Sequence, residues 1–378
     1  MNVLLCITGL NRGGAEKNFI ALCTKTSRFG YPFSPTVASW IAGSYANELN
    51  KENIPTFTLL KPAGLLSIVM NFRSYIAYLF KHRRRFDVVQ AFMPHGGLLA
   101  ILSNFILRKP FIYCIRNSQI HAESHKNPLK WLIRCAAHHS SVYFASVVTC
   151  NTPFVKAVLD NKVNKDVRLV FNAVEKPDEE KYHDSSIQEA FFRPGGYHIV
   201  SICNMRHPQK DILTLLKVAK KLGSFRFILV GDGNGLSLFK NEAQRLELDN
   251  VVFAGAYENI YPFLSHADQY ILLTGYEGFP NTVLEAMVSR VPVIMSDIRE
   301  MSGILAHGKN CLLVKNGDIA DISIKILSLK EDGVLCKNIV ENGYLIATTQ
   351  FTMANLVGDN FKIYTSLTST DTSLFKND

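Results

Sequence analysis

Short apolar runs alternate with longer amphipathic stretches along most of the chain. Asn2–Thr8, Thr36–Trp40, Thr56–Leu59, Asp87–Phe92, Phe111–Arg116, Val147–Cys150 and Arg168–Phe171 are rich in β-branched and aromatic residues and read as strands. Between most of them lie stretches with a helical repeat of apolar positions, such as Gly14–Arg28, Leu66–Arg85, Leu129–Ser146 and Pro153–Asn161. Strand–helix alternation of this kind predicts a parallel sheet covered on both faces. A polar stretch with Pro and Gly, EKPDEEKYHDSSIQEAFFRPGG, interrupts the pattern at 175–196. Alternation then restarts, with strands expected at His198–Cys203, Arg226–Val230, Val251–Ala254, Gln269–Leu273, Pro292–Met295 and Cys311–Val314. The reading is an α/β chain of two Rossmann-like, doubly wound domains. Residues 1–175 form the first, 176–196 the linker and 197–350 the second. An amphipathic segment at 351–378 is expected to return to the first domain and end in a frayed tail. Two such domains are expected to face each other across a cleft lined by the carboxyl ends of their strands, where ligands bind in doubly wound folds.

Charge divides the chain at nearly the same place. Of 378 residues, 41 are Lys or Arg and 32 are Asp or Glu, a net +9. Residues 1–150 hold 17 of the basic and 5 of the acidic residues, so they carry +12 and the remainder −3. The first domain is therefore expected to meet an anionic partner. The eight cysteines are scattered, show no metal-ligand spacing and sit mostly in apolar runs, as expected of reduced core thiols in a cytoplasmic protein. The first apolar run is too short for a secretory leader, and no run of apolar residues is long enough to span a bilayer.

Four constellations could carry chemistry. ITGLNRGGAEKNF places Gly13 and Gly14 between a strand and a helix, where a backbone can approach an anion closely; a plain tight turn is the other reading. EGFPNTVLE puts Glu277 on a loop after a strand and begins a helix at Pro280 and Asn281. The amides of Phe279 to Thr282 would then point out of that helix start, which suits a phosphate. Glu285, one turn inside, suits the vicinal hydroxyls of a ribose, and Glu277 suits those of a sugar. Solvated surface acids are the alternative. NMRHPQKD brings Arg206 and Lys210 to the end of another strand, where a fork donor and a point cation can hold a diphosphate. VGDGNG is a second Gly-rich turn whose Asp232 disfavours direct phosphate contact.

GGAEK, RHPQKD, LVGDG and EGFPNTVLEAM, in that order, resemble the retaining nucleotide-sugar glycosyltransferases of glycosyltransferase family 4, as does VPVIMSDIREMSGILAHGKNCLLVKNGD at 291–318. The resemblance covers most of the chain and implies the GT-B fold. It also implies that Arg206 and Lys210 grip the diphosphate of a UDP-linked donor. The backbone of 278–282, Pro280 included, would meet the distal phosphate or sugar, Glu285 the ribose and Glu277 the transferred sugar, while Gly13 and Gly14 would close over the phosphates. The family pattern departs at CNMR, which makes the offset between Arg206 and Lys210 one residue ambiguous. Catalysis would need no cofactor and no metal, with the leaving phosphate taking the acceptor proton. His95, in FMPHGG, is a candidate for the family's histidine, and Arg116 and Asn117, at the end of a strand, for contact with the acceptor's phosphate or the donor.

The implied acceptor is a lipid-linked or lipopolysaccharide-type glycan. The basic, apolar segments Leu65–Arg85 and Lys126–Arg134 are expected to rest on the anionic inner face of the cytoplasmic membrane. No nucleic-acid motif is present. Other readings of the same fold are a nucleotide-sugar epimerase, a glycan phosphorylase and a non-catalytic nucleotide-sugar-binding protein.

Overall fold

The computed structural model describes residues 1–11, 13–60, 65–116 and 128–369, with the side chains of 65 and 66 left aside. Two compact units divide the chain: Met1–Asn172 together with the C-terminal segment from Met353, and Ala173–Thr352.

The first unit is built on a parallel sheet of β1 (Asn2–Gly9), β2 (Ser34–Ile41), β3 (Thr56–Leu60), β4 (Val88–Phe92), β5 (Phe111–Ile115), β6 (Val147–Cys150) and β7 (Asp166–Leu169), in the order β3-β2-β1-β4-β5-β6-β7. Crossovers run through α1 (Gly14–Thr24), α2 (Tyr45–Lys51), α3 (Leu65–His82), α4 (Pro94–Leu107), α5 (Pro128–Phe144) and α6 (Pro153–Asp160). Helices on both faces explain why β1 reads as an unbroken apolar run: Val3 to Ile7 are all fully buried.

The helix α4 begins directly after β4, in a stretch rich in turn residues. Pro94 starts it, and Gly96 and Gly97 lie inside its first turns. A side chain at Gly96 would meet the β1 backbone at Ile7 Cα, 2.9 Å away, and one at Gly97 would meet Ser141 Oγ of α5 at 2.0 Å. This glycine pair is therefore a packing device that lets α4 lie against β1 and α5.

The second unit repeats the plan. After a 3₁₀ turn (Glu179–Tyr182) comes α7 (Ser185–Phe191), begun by Asp184, whose carboxylate accepts from the amides of Ser186 and Ile187. The sheet is β8 (Tyr197–Ile202), β9 (Phe225–Val230), β10 (Val251–Gly255), β11 (Gln269–Leu272), β12 (Val293–Ser296) and β13 (Leu312–Val314), in the order β10-β9-β8-β11-β12-β13, with every pairing parallel. Its helices are α8 (Ile212–Lys221), α9 (Leu236–Arg245), α10 (Tyr261–Ser265), α11 (Asn281–Val288), α12 (Ile319–Glu331) and α13 (Gly333–Thr349).

The last helix, α14 (Met353–Ser369), packs on the first unit through a buried polar network. Gln90, fully buried on β4, donates from Nε2 to Asn360 Oδ1 at 2.8 Å and to Cys114 Sγ at 3.0 Å, and the Tyr364 hydroxyl donates to Gln90 Oε1. A buried amide satisfied on both sides fixes the register of a helix as well as its affinity.

Candidate active site

The β8–β11 pair organises the second unit's site, because the strand order changes direction there. The chain leaves β8 through Cys203–Asp211 and enters α8. Cys203 N donates to Val230 O at 3.0 Å, Met205 N to Asp232 O at 2.9 Å and Asp211 N to Leu273 O at 3.0 Å, so the segment is stitched to both neighbouring strand ends. Asp211 caps α8 by accepting from Thr214 N. Three glycines make the approach possible. A Cβ on Gly231 would lie 1.9 Å from Cys203 O, one on Gly233 2.6 Å from Met205 O and one on Gly235 2.9 Å from the same oxygen. The glycines of VGDGNG thus back the segment that carries Arg206 and Lys210.

Lys210 is only 7% exposed, and its ammonium is ion-paired with Glu277, whose side chain is 13% exposed. Burial, and then the neighbouring Arg206 guanidinium, push Lys210 down from 10.5 to about 8, although the charge interaction with the nearby Cys203 sulfur works the other way. The Glu277 contact also favours the charged ammonium. Arg206 itself is exposed. Sequence reading placed Lys210 and Glu277 at one site but on different parts of a ligand; the structure joins them directly.

A set of short bonds beneath Glu277 was not legible in the sequence. Thr274 N donates to Ser296 Oγ at 2.9 Å, Ser296 Oγ donates to Asn316 Oδ1, and Asn316 Nδ2 donates back to Thr274 O at 2.7 Å. Gln209 Nε2 and Thr274 Oγ1 both donate to Tyr276 O, at 3.1 and 3.0 Å. The ends of β11, β12 and β13 are thereby locked to the Lys210 loop. The Asn316→Ala substitution is expected to leave the fold intact and lower kcat about tenfold by loosening Glu277, with affinity for an intact sugar nucleotide changed by less than about threefold. Steady-state kinetics beside a nucleotide titration measure the split.

Glu277 leads into the start of α11. Pro280 has no N–H, and Asn281 N turns back to Phe279 O at 3.1 Å, which leaves the amides of Gly278, Phe279 and Thr282 as those the loop can offer an anion. The Tyr270 hydroxyl holds Thr282 Oγ1 at 2.7 Å, and the Phe279 ring packs against Phe351. Glu285 is 4% exposed. Its charge adds to burial in raising the Tyr261 and Tyr270 phenols, which places both rings beside it.

In the first unit, Gly13 precedes α1 with extended backbone, and the Glu16 carboxylate folds back over it; Gly14 opens the helix. Burial raises the Glu16 carboxyl. His95 sits in the first turn of α4, its carbonyl accepting from Trp40 Nε1 at 2.6 Å, and burial followed by the Arg134 charge lowers its imidazole below 6.5. Arg116, at the carboxyl end of β5, is 8% exposed. Its Nη1 donates to Val170 O and Asn172 Oδ1, and its guanidinium lies 5.3 Å over the Phe92 ring, but Nε and Nη2 have no hydrogen-bond partner among the described residues. Asn117 lies outside the described residues. Among the described residues, no cluster of His, Cys, Asp and Glu has a geometry that would hold a metal.

Residues 185–345 match the family model described as glycosyl transferases group 1. This segment is similar to the group 1 glycosyl transferases. It contains Lys210, Glu277, Glu285 and the Thr274–Ser296–Asn316 lock. An uncharacterised glycosyltransferase of Methanocaldococcus jannaschii is 25% identical over 254 residues, 66% of each chain. The lipopolysaccharide core biosynthesis glycosyltransferase LpsD of Rhizobium meliloti is 27% identical over 144 residues, 38% of this chain and 42% of its own. Both matches leave a third or more of the relative unaligned. The crystal structure of Anabaena HepE in complex with UDP superposes with a TM-score of 0.78 at 20% identity, covering 97% of this chain and all of that one. At that identity the likeness is one of fold: each of the two units is Rossmann-like, as in the GT-B fold.

Proposed function

We propose that this chain is a retaining glycosyltransferase that moves a sugar from a UDP-linked donor to a lipid-linked or lipopolysaccharide-type glycan. The observation that carries the reading is the buried Lys210–Glu277 pair, set beside the start of α11 and Glu285 within the segment that matches the group 1 glycosyl transferases. Lys210, with Arg206 beside it and the amides of Gly278, Phe279 and Thr282, takes the diphosphate. Negative charge grows there as the glycosidic bond to phosphate breaks, so fixed donors stabilise the transition state more than the ground state. Glu285 takes the ribose hydroxyls and Glu277 those of the sugar. The departing phosphate accepts the acceptor's proton, with neither a metal nor a cofactor in the step. Gly13 and Gly14 let the α1 start meet the phosphates. In the first unit, Arg116 serves the acceptor's phosphate, supported by two buried donors with no partner among the described residues, and His95 holds a neutral imidazole for the sugar. UDP release should be followed with UDP-glucose, UDP-galactose and UDP-N-acetylglucosamine, each with and without a polyprenyl-diphosphate glycan. Acceptor-dependent release is expected with one of them, and no release from any would refute the reading.

The place of work, in this proposal, is the inner face of the cytoplasmic membrane. No helix among the described residues is long and apolar enough to cross a bilayer. However, α5 exposes Leu129, Leu132 and Ile133 around the exposed Lys130, and α3 exposes Val69 and Met70 near its start and Phe80 near its basic end. Apolar side chains beside cations suit the boundary of an anionic leaflet. Sedimentation with phosphatidylglycerol vesicles, but not with phosphatidylcholine vesicles, is the expected result. Leu132→Asp together with Ile133→Asp should reduce it at least about fivefold, and binding unchanged by this pair would count against the surface.

A further inference from the structure

The ion pair has a consequence for which nucleotide the site prefers. The cation assigned above to the diphosphate already has a partner within the chain: Lys210 is 7% exposed and bound to the Glu277 carboxylate, itself 13% exposed. A diphosphate arriving at Lys210 brings like charge against Glu277 in surroundings of low dielectric, where repulsion is strong. The two nucleotides differ in what they offer in return. An intact sugar nucleotide supplies hydroxyls that donate to the carboxylate. UDP supplies charge alone, and leaves a largely buried carboxylate without its cation.

We propose that Glu277 competes with the diphosphate for Lys210, and so makes the site hold the intact sugar nucleotide in preference to the UDP left after transfer. The inference rests on the donor role given above to Lys210 and Glu277. Its functional effect is on turnover: once the sugar has left, the carboxylate recovers its lysine and UDP is expelled. The lock formed by Thr274, Ser296 and Asn316 keeps Glu277 in reach of Lys210 throughout.

The test is a calorimetric titration of UDP and of the tightest-binding of the three UDP-sugars into wild type and Glu277→Gln, which keeps the shape and removes the charge. UDP is expected to bind the variant at least about tenfold tighter than wild type, and the preference for the intact donor to narrow by at least the same factor. In a Lys210→Gln background the same exchange at 277 should no longer tighten UDP in this way, since the cation competed for is gone. UDP binding to Glu277→Gln that is unchanged or weaker overturns the competition. Failure of wild type to bind UDP or any of the three sugars would instead overturn the donor reading itself. A second measurement needs no variant. The free sugar of the preferred donor should tighten UDP binding to wild type, and UDP should tighten sugar binding by the same factor. Absence of that coupling also overturns the proposal.

Discussion

Replacing Lys210 by alanine is expected to lower kcat/KM for sugar transfer by about 10²–10³-fold, the loss typical when one preorganised donor to a developing oxyanion is removed. The physical basis is the burial of the ammonium. An exposed lysine beside a diphosphate is screened by water and salt, whereas Lys210 is 7% exposed and acts through little solvent. Burial also makes the charge pH-sensitive. The ammonium is lost as pH rises through about 8, so UDP affinity in wild type should fall between pH 7 and 9.5. Stability should move the other way. With Lys210 lowered from 10.5 to about 8 in the fold, the unfolded chain holds more protons across that window, and this residue's contribution makes the fold more stable as pH rises. Affinity falling while the melting temperature holds or rises separates titration of Lys210 from alkaline unfolding. Titrations at several pH values, with Lys210→Ala as the pH-flat control, measure it. A variant within about threefold of wild-type kcat/KM would remove Lys210 from the chemistry.

Much of the fold could be read from the chain because strands buried on both faces leave unbroken apolar runs, as Val3–Ile7 does. The start of α4 escaped because Pro94, Gly96 and Gly97 are turn residues by local chemistry, and only tertiary packing against Ile7 and Ser141 explains glycine there. The site divides in the same way. Lys210, Glu277 and Glu285 were visible because each sits in a local strand-to-helix motif. Their pairing was not, since Lys210 and Glu277 are 67 residues apart and their contact depends on where β8 and β11 lie in the sheet. The lock beneath them left even less trace. Thr274, Ser296 and Asn316 come from the ends of three strands, and Ser, Thr and Asn at strand ends are common enough in turns to carry no signal alone. What joins them is the parallel register of β11, β12 and β13, which brings those ends together at one edge.

The Gly231→Val substitution should have the largest effect on folding. Gly231 has φ 133°, a conformation that side chains strongly disfavour, and a Cβ there would lie 1.9 Å from Cys203 O. Either the β9 turn or the Cys203–Met205 segment must move. The segment is also held by Cys203 N to Val230 O and Met205 N to Asp232 O, so displacement breaks bonds that align Lys210. Backbone strain and overpacking together are expected to destabilise the second unit by about 4 kcal/mol or more, lowering its melting midpoint by roughly 10 °C. Gly223→Ala is the matched control. Nothing lies within 4 Å of a Cβ built there, and its φ is not positive, so its midpoint should stay within about 2 °C of wild type. Circular dichroism melts of both variants, with and without UDP, provide the measurement. If Gly231→Val melted with Gly223→Ala, the close approach of the two loops would not be what holds Lys210 in place, and the loss of donor binding expected of Gly231→Val should then vanish as well.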